Sequence, residues 1–273
     1  GEVIRHYHKI VRQPIFVVGS GDATSDRISS WAASLNPSID PSTPLPKDSG
    51  LSAVPIPQDA EHRRFFIIDK PDRTQTQINV GQIGVRLLDA DYFPLHVGNH
   101  AFGGPSFSAI LMSEIRVKRG WSYGASSAFK QGLQPRSWHY HIFPAEKDTV
   151  QALAYSLECV EKLRDQGLTS EQFTFAKQSL VNSSGFMFNT PKKRVENKLI
   201  EKTLSLPDGF MSSFGAQIEK VSRDDVNRAL KKFLHPEALT IVVLGTAQHL
   251  KEPIAHTLHI PTEQIEIVPY TAN

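Results

Sequence analysis

A single cysteine, Cys159, among 273 residues excludes an internal disulfide. Cysteine usage therefore says nothing about the redox compartment. Cys159 sits in the apolar-periodic stretch LAYSLECVEKL and reads as a small buried hydrophobe. No run approaches 18 consecutive apolar residues, so no membrane span is expected. Excess charge of one sign is also missing. Thirty Lys and Arg stand against 28 Asp and Glu, 30 − 28 = +2. A balance this even gives no reason to expect a nucleic-acid or membrane-surface partner. The chain has no initiator Met at its first position and opens on Gly1 in helix-like text. It reads as a processed or truncated chain without a signal peptide. The compartment is left open between a bacterial periplasm and a cytoplasm, for a soluble protein.

Apolar residues make up 40%, enough for a sizeable core. The length is generous for one compact domain and suits one domain plus an extra piece. EVIRHYHKIV is short and amphipathic. PIFVVGSGD reads as a strand ending in a turn, and DATSDRISSWAASL as a helix with Thr24 or Ser25 as N-cap. Residues 37–62 carry six prolines with many Ser and Asp, the clearest linker in the chain.

Beyond the linker, RRFFIIDKP and TQINVGQIGVRL read as strands. DYFPLHVGNHAFGG and SFSAILMSEIRVKRG read as two helices broken at Gly-Gly-Pro. WSYGASSAFKQ and SWHYHIFPA alternate and predict a hairpin around QGLQP. TVQALAYSLECVEKLRDQG is a helix closed by Gly167, and Thr169-Ser170 opens the next. Two more helices fall near 190–205 and 223–234, followed by the strand ALTIVVLGTA and the helix HLKEPIAHTL. PIFVVGSGDATSDRI echoes LTIVVLGTAQHLKEPI, each being a strand, a glycine turn and a helix. This predicts one and a bit repeats of an α+β unit. Residues 1–36 would be the tail of one domain, 37–64 the linker, and 65–273 a complete copy.

Two histidines, His96 and His100, stand four apart in HVGNH, a spacing that puts both on one helix face. Zinc hydrolysis also needs a third ligand and a base that activates water. Neither H-x-x-E-H nor H-E-x-x-H occurs in the chain. Asn99 holds the position a glutamate would need, and an amide cannot accept the proton of water. His96 and His100 are therefore expected to be packing or surface histidines. The pairs His6/His8 and His139/His141 lack a third ligand and read as surface decoration. GSGD at 19–22 lacks the pattern of a phosphate loop, and KKR at 192–194 reads as a solvated helix face.

The ordered set QTQINVGQIGV, LHVGNHAFGG and SFSAILMSEIRVKRGWSYGASSAF, then SEQFTFAKQSL and LTIVVLG, resembles the C-terminal region of M16-type zinc peptidases. This is the pitrilysin, insulin-degrading and mitochondrial-processing-peptidase group. The resemblance covers nearly the whole chain and is most specific from Gly103 to Ser126. It implies an αβ-roll with an antiparallel or mixed sheet and helices packed mainly on one face. It also implies that one half of the molecule carries an H-x-x-E-H zinc helix and the other an arginine and a tyrosine seven residues apart.

Arg116 and Tyr123 match that pair in RVKRGWSY. By resemblance, Tyr123 would donate to the oxygen that gains charge in peptide hydrolysis, and Arg116 would bind a backbone carbonyl or steady the tyrosine. On residue type alone, Arg116 could equally be a solvated helix-end cation and Tyr123 a strand core residue. The family's third zinc ligand would fall near 171–180, where only Glu171 is acidic. HVGNH then reads as the duplicate, by position, of the zinc helix in the other half.

The implied protein is the C-terminal part of an M16 peptidase or of a zinc-free partner subunit in a heterodimer. It would hold no metal or cofactor itself, and zinc would lie in a partner domain or subunit. Peptide substrate and a zinc-bearing M16 half are the expected partners. The chain alone is expected not to hydrolyse peptides. A structural, non-peptidase subunit of the core-protein type is the competing expectation. An independent metal module at His96/His100 would instead show stoichiometric zinc in the isolated chain.

Overall fold

The computed structural model describes residues 1–11, 16–35, 60–130 and 132–270. Along them run α1 (Glu2–Val11), α2 (Ser25–Leu35), β1 (Arg64–Asp69), β2 (Gln77–Ile83), α3 (Tyr92–Gly103), β3 (Ser122–Phe129) and β4 (Ser137–Pro144). Then follow α4 (Thr149–Gln166), α5 (Ser170–Ser184), α6 (Pro191–Thr203), α7 (Phe214–Lys220), α8 (Arg223–Phe233), β5 (Thr240–Gly245), α9 (Ala247–Leu258) and β6 (Ile265–Pro269). Contacts divide the chain into two units, 1–55 with 182–216, and 56–181 with 217–273.

All six described strands lie in the second unit and form one sheet in the order β3-β4-β2-β5-β1-β6. β1 runs parallel to both β5 and β6, while β2 runs antiparallel to β4 and β5. The period-2 alternation of the sequence fixes the register. Phe65 and Ile67 of β1 stand beside Ile241 and Val243 of β5, and Val80 of β2 pairs with Ile241 and Tyr140. These residues, with Ile78, Trp138 and Ile142, are all buried on one face. Each such side chain contributes about 1.5–3 kcal/mol by leaving water. The alternate positions Asn79, His139, His141 and Val242 point to the opposite face and keep part of their surface in solvent.

Helices cover the apolar face. α3 lies against β3 and α8, and α4 against α8 and α9. The fold is thus α+β, a mixed sheet with helices mainly on one side. Helix ends follow the sequence signals. Thr169 and Gln172 cap α5 reciprocally, Gln172 N–H to Thr169 Oγ1 at 3.2 Å and Thr169 N–H to Gln172 Oε1 at 3.0 Å. Gly167 closes α4 at φ +68°, where a side chain would be strained and would collide with Asn227. Cys159 is buried in α4, and burial, more than the nearby Glu114 charge, pushes its thiol up to about 12.

In the first unit, Thr24 caps α2 through Arg27 N–H at 3.3 Å, as its sequence indicates. Thr190 caps α6 in the same way, with Pro191 in its first turn. Buried Glu201 accepts from Lys198 Nζ and from Met211 N–H, each at 2.9 Å. Phe16–Ser20 form no strand, unlike their echo in β5, because no described strand of that unit offers them a ladder partner. The linker read over 37–64 lies, up to residue 59, outside the described residues, as do Pro14 and Ile15 of the PIFVVGSGD stretch.

The segment read as a helix at SFSAILMSEIRVKRG instead winds as a π-helical turn over Met112–Val117. Lys118 N–H reaches back five residues to the Ser113 carbonyl at 2.9 Å. Gly120, at φ +66°, then releases the chain into β3.

Candidate functional site

Tyr123 is turned out of the sheet by its neighbour. Ser122 is buried, its Oγ donates to the Gly124 carbonyl at 2.6 Å, and it accepts Phe143 N–H at 2.7 Å. The β3–β4 register shifts between Ser122 and Ala125, a bulge on that edge strand. A bulge re-aims the side chain it carries. Tyr123 consequently stands 79% exposed and is not a core residue.

Arg116 leaves the π-helical turn toward this ring. Its guanidinium carbon lies over the Tyr123 ring at 5.1 Å and over the Phe107 ring at 5.1 Å. Phe107 is itself 64% exposed. Each contact of this kind is worth about 0.5–1 kcal/mol at an exposed site. Among the described residues no carboxylate pairs with Arg116. Its neighbours in the sequence are treated differently. Lys118 Nζ and Arg119 Nη1 both meet the Glu114 carboxylate, at 2.5 and 2.8 Å. Tyr155 of α4 donates its hydroxyl to the same carboxylate at 3.0 Å. Burial works to raise the Glu114 carboxyl, but the bonds from Lys118, Arg119 and Tyr155 hold it below the usual range.

Phe107 and Glu114 escaped the sequence reading. Phe107 lies in the loop after Gly-Gly-Pro, with no spacing that ties it to Arg116. Glu114 could be linked to Lys118 by i,i+4 spacing, but its hold on Arg119 depends on the wider π turn.

The HVGNH helix is α3. His100 Nε2 meets Ser179 Oγ of α5 at 3.0 Å. His96 Nδ1 is shielded from solvent, and burial, then the neighbouring His100, lowers its pKa to about 4. Asn99 looks elsewhere, toward the sheet. Its Oδ1 accepts the indole N–H of Trp138 at 2.9 Å and Ser127 Oγ–H at 2.7 Å, and its Nδ2 donates to the Ser127 carbonyl at 3.4 Å. The two histidines are thus committed to helix packing and the residue between them to the β3–β4 hairpin. Among the described residues no three His, Cys, Asp or Glu side chains are grouped to hold a metal, Glu171 included. Among the described residues, His96 and His100 have no third ligand grouped with them and do not fit a zinc site. His139 and His141 stack on β4 with ring centroids 6.4 Å apart, and His141 Nε2 lies 2.8 Å from Ser126 Oγ. Among the described residues they too lack a third ligand.

The family described as "Peptidase M16 inactive domain" matches residues 2–180. The match spans more than half of the chain, so the protein belongs to that family. No curated protein sequence matches. Among solved structures, the chain resembles the peptidase M16 inactive domain from Pseudomonas fluorescens (24% identity, TM-score 0.72, 82% of this chain and 52% of that one). A protease from Helicobacter pylori shares 14% identity at TM-score 0.68, over 82% of this chain and 53% of that one. A chain of complex III2 from Candida albicans shares 13% at TM-score 0.66, over 90% and 57%. At these identities the likeness is one of fold. The chain spans about half the length of each of these three structures. Among the described residues no helix is long and apolar enough to cross a membrane.

Proposed function

We propose that this chain serves as the zinc-free part of an M16 zinc peptidase, presenting Arg116 and Tyr123 to peptide bound at a zinc site on another M16 half, whether in the same polypeptide or in a partner subunit. The observation that carries the reading is the Arg116–Tyr123 pair, a half-buried guanidinium whose carbon lies 5.1 Å from the centre of an exposed tyrosine ring, with no carboxylate on the arginine among the described residues. Tyr123 supplies an O–H for the oxygen that becomes negative as a peptide bond is attacked, a role worth most where charge develops. Arg116 supplies a planar donor fork for the carbonyls of an extended peptide. Neither group touches the metal in this scheme, and no residue of this chain activates water.

A second reading is a structural subunit without a peptidase role. The match to a chain of complex III2 over 90% of this chain favours it. Peptide turnover by the full-length protein assembled with a zinc-bearing M16 half separates the two. Under the first reading, Arg116→Ala and Tyr123→Phe each lower turnover at unchanged assembly. Under the second, both are silent.

A further inference from the structure

We infer that Glu114 is a positioning residue: by engaging Lys118 and Arg119 it leaves Arg116, alone among the three cations of this segment, open to a ligand. The inference rests on the reading of Arg116 given above. Three cations, Arg116, Lys118 and Arg119, share the turn with one carboxylate. Both oxygens of that carboxylate are spent. Oε1 takes Lys118 Nζ at 2.5 Å, and Oε2 takes Arg119 Nη1 at 2.8 Å and the Tyr155 hydroxyl at 3.0 Å.

The π-helical turn makes this sorting possible. Residues four apart meet on an ordinary helix, so Glu114 reaches Lys118. Backbone bonds spanning five residues bring Arg119 over Glu114 as well. Arg119 is held there three times over, by the carboxylate, by the Glu114 backbone carbonyl at 2.9 Å, and by the Tyr155 ring 3.6 Å from its guanidinium carbon. Residues two apart do not face one another, so Arg116 is turned away from Glu114 and onto Phe107 and Tyr123. Tyr155 belongs to α4, so the same carboxylate ties the turn to a core helix. Without the Glu114 charge, Arg119 and Lys118 lose their shared acceptor. Arg119 would then compete for the ligand oxygens meant for Arg116, and the turn would lose its anchor.

The test is a double-mutant cycle on the affinity of an extended fluorescent peptide for the full-length protein assembled with a zinc-bearing M16 half. Arg116→Ala and Glu114→Gln are each expected to weaken binding roughly tenfold, with the double variant no weaker than Arg116→Ala alone within about twofold. Additive losses would show that Glu114 acts only through general stability, and the inference falls while the reading of Arg116 stands. If Arg116→Ala alone is silent, both fall. Should Glu114→Gln fail to fold, Tyr155→Phe removes one bond to the carboxylate and keeps the ring. A smaller loss that vanishes in the Arg116→Ala background supports the inference, and a loss of equal size in both backgrounds overturns it.

Discussion

The carboxamide oxygen of Asn99 accepts the indole N–H of Trp138 at 2.9 Å, joining α3 to the hairpin that carries Tyr123. Trp138 is buried between Phe102, Tyr140 and Phe233, its ring 5.9, 6.1 and 6.2 Å from theirs. A tryptophan buried this way needs a partner for its one polar atom. Asn99→Leu strands the indole N–H, leaves the Ser127 hydroxyl only the Asn99 backbone carbonyl at 3.3 Å, and should cost about 1–3 kcal/mol in chemical denaturation. A loss below about half a kcal/mol would mean the bond is dispensable. Asn99→Glu places an acidic residue in the position the zinc motif requires, yet the side chain at 99 points to the sheet and no third ligand waits among the described residues. Elemental analysis of that variant should find no stoichiometric zinc.

His96 gives the fold an acid weakness. An imidazolium is costly where burial excludes water, so the folded-state pKa drops to about 4, against 6.5 for the free side chain. As pH falls the unfolded chain takes up the proton first. Stability attributable to His96 is therefore complete above pH 6.5 and declines as pH falls from 6.5 toward 4, by at most about 3 kcal/mol at roughly 1.4 per pH unit. His100 is lowered in the same direction by burial and adds to the trend. Denaturation midpoints at pH 7.5 and 5 should differ clearly in the parent and much less in His96→Gln. An equal difference in both would place the acid sensitivity elsewhere.

Ser122 should control Tyr123 from inside the sheet. Its hydroxyl satisfies Phe143 N–H and the Gly124 carbonyl, fixing the bulge that faces Tyr123 outward. Ser122→Ala removes those bonds and adds no atom to the buried site. A destabilisation of about 1–3 kcal/mol is expected, together with greater burial of the Tyr123 ring, readable as slower nitration of Tyr123 in a peptide map. Loss of stability with Tyr123 still fully exposed would show that the bulge stands on the backbone alone.

Most elements were legible because the signals were local. Alternation in RFFIID and SWHYHIFP, the cap at Thr169 and the closing glycine at 167 each report one residue's own backbone preference. β6 was missed because the alternation in IEIVP lasts only from Ile265 to Ile267 before Val268-Pro269 ends it, too short to separate a strand from a tail. The strand expected at PIFVVGSGD failed over Phe16–Ser20 for the opposite reason, since apolar text cannot supply a pairing partner. At the site, Arg116 and Tyr123 were found by family pattern, not by physics. Burial of the tyrosine was an equally good reading until the Ser122 bulge turned it outward. Phe107 and Glu114 act through space and through a π turn that no periodicity announces. The role of Asn99 was half legible. Its unsuitability as a base followed from its chemistry, while its bond to Trp138 needed the hairpin in place.

The most direct test of the account is the Tyr123→Phe variant in the full-length protein assembled with a zinc-bearing M16 half. Tyr123 is exposed, so loss of its hydroxyl should leave the denaturation midpoint and assembly unchanged, within about half a kcal/mol. Peptide turnover should fall by roughly 10²–10³-fold, the scale for losing one donor to a developing oxyanion, with peptide affinity little altered. Turnover equal to the parent at equal assembly would contradict a chemical role for Tyr123 and leave the chain a structural subunit.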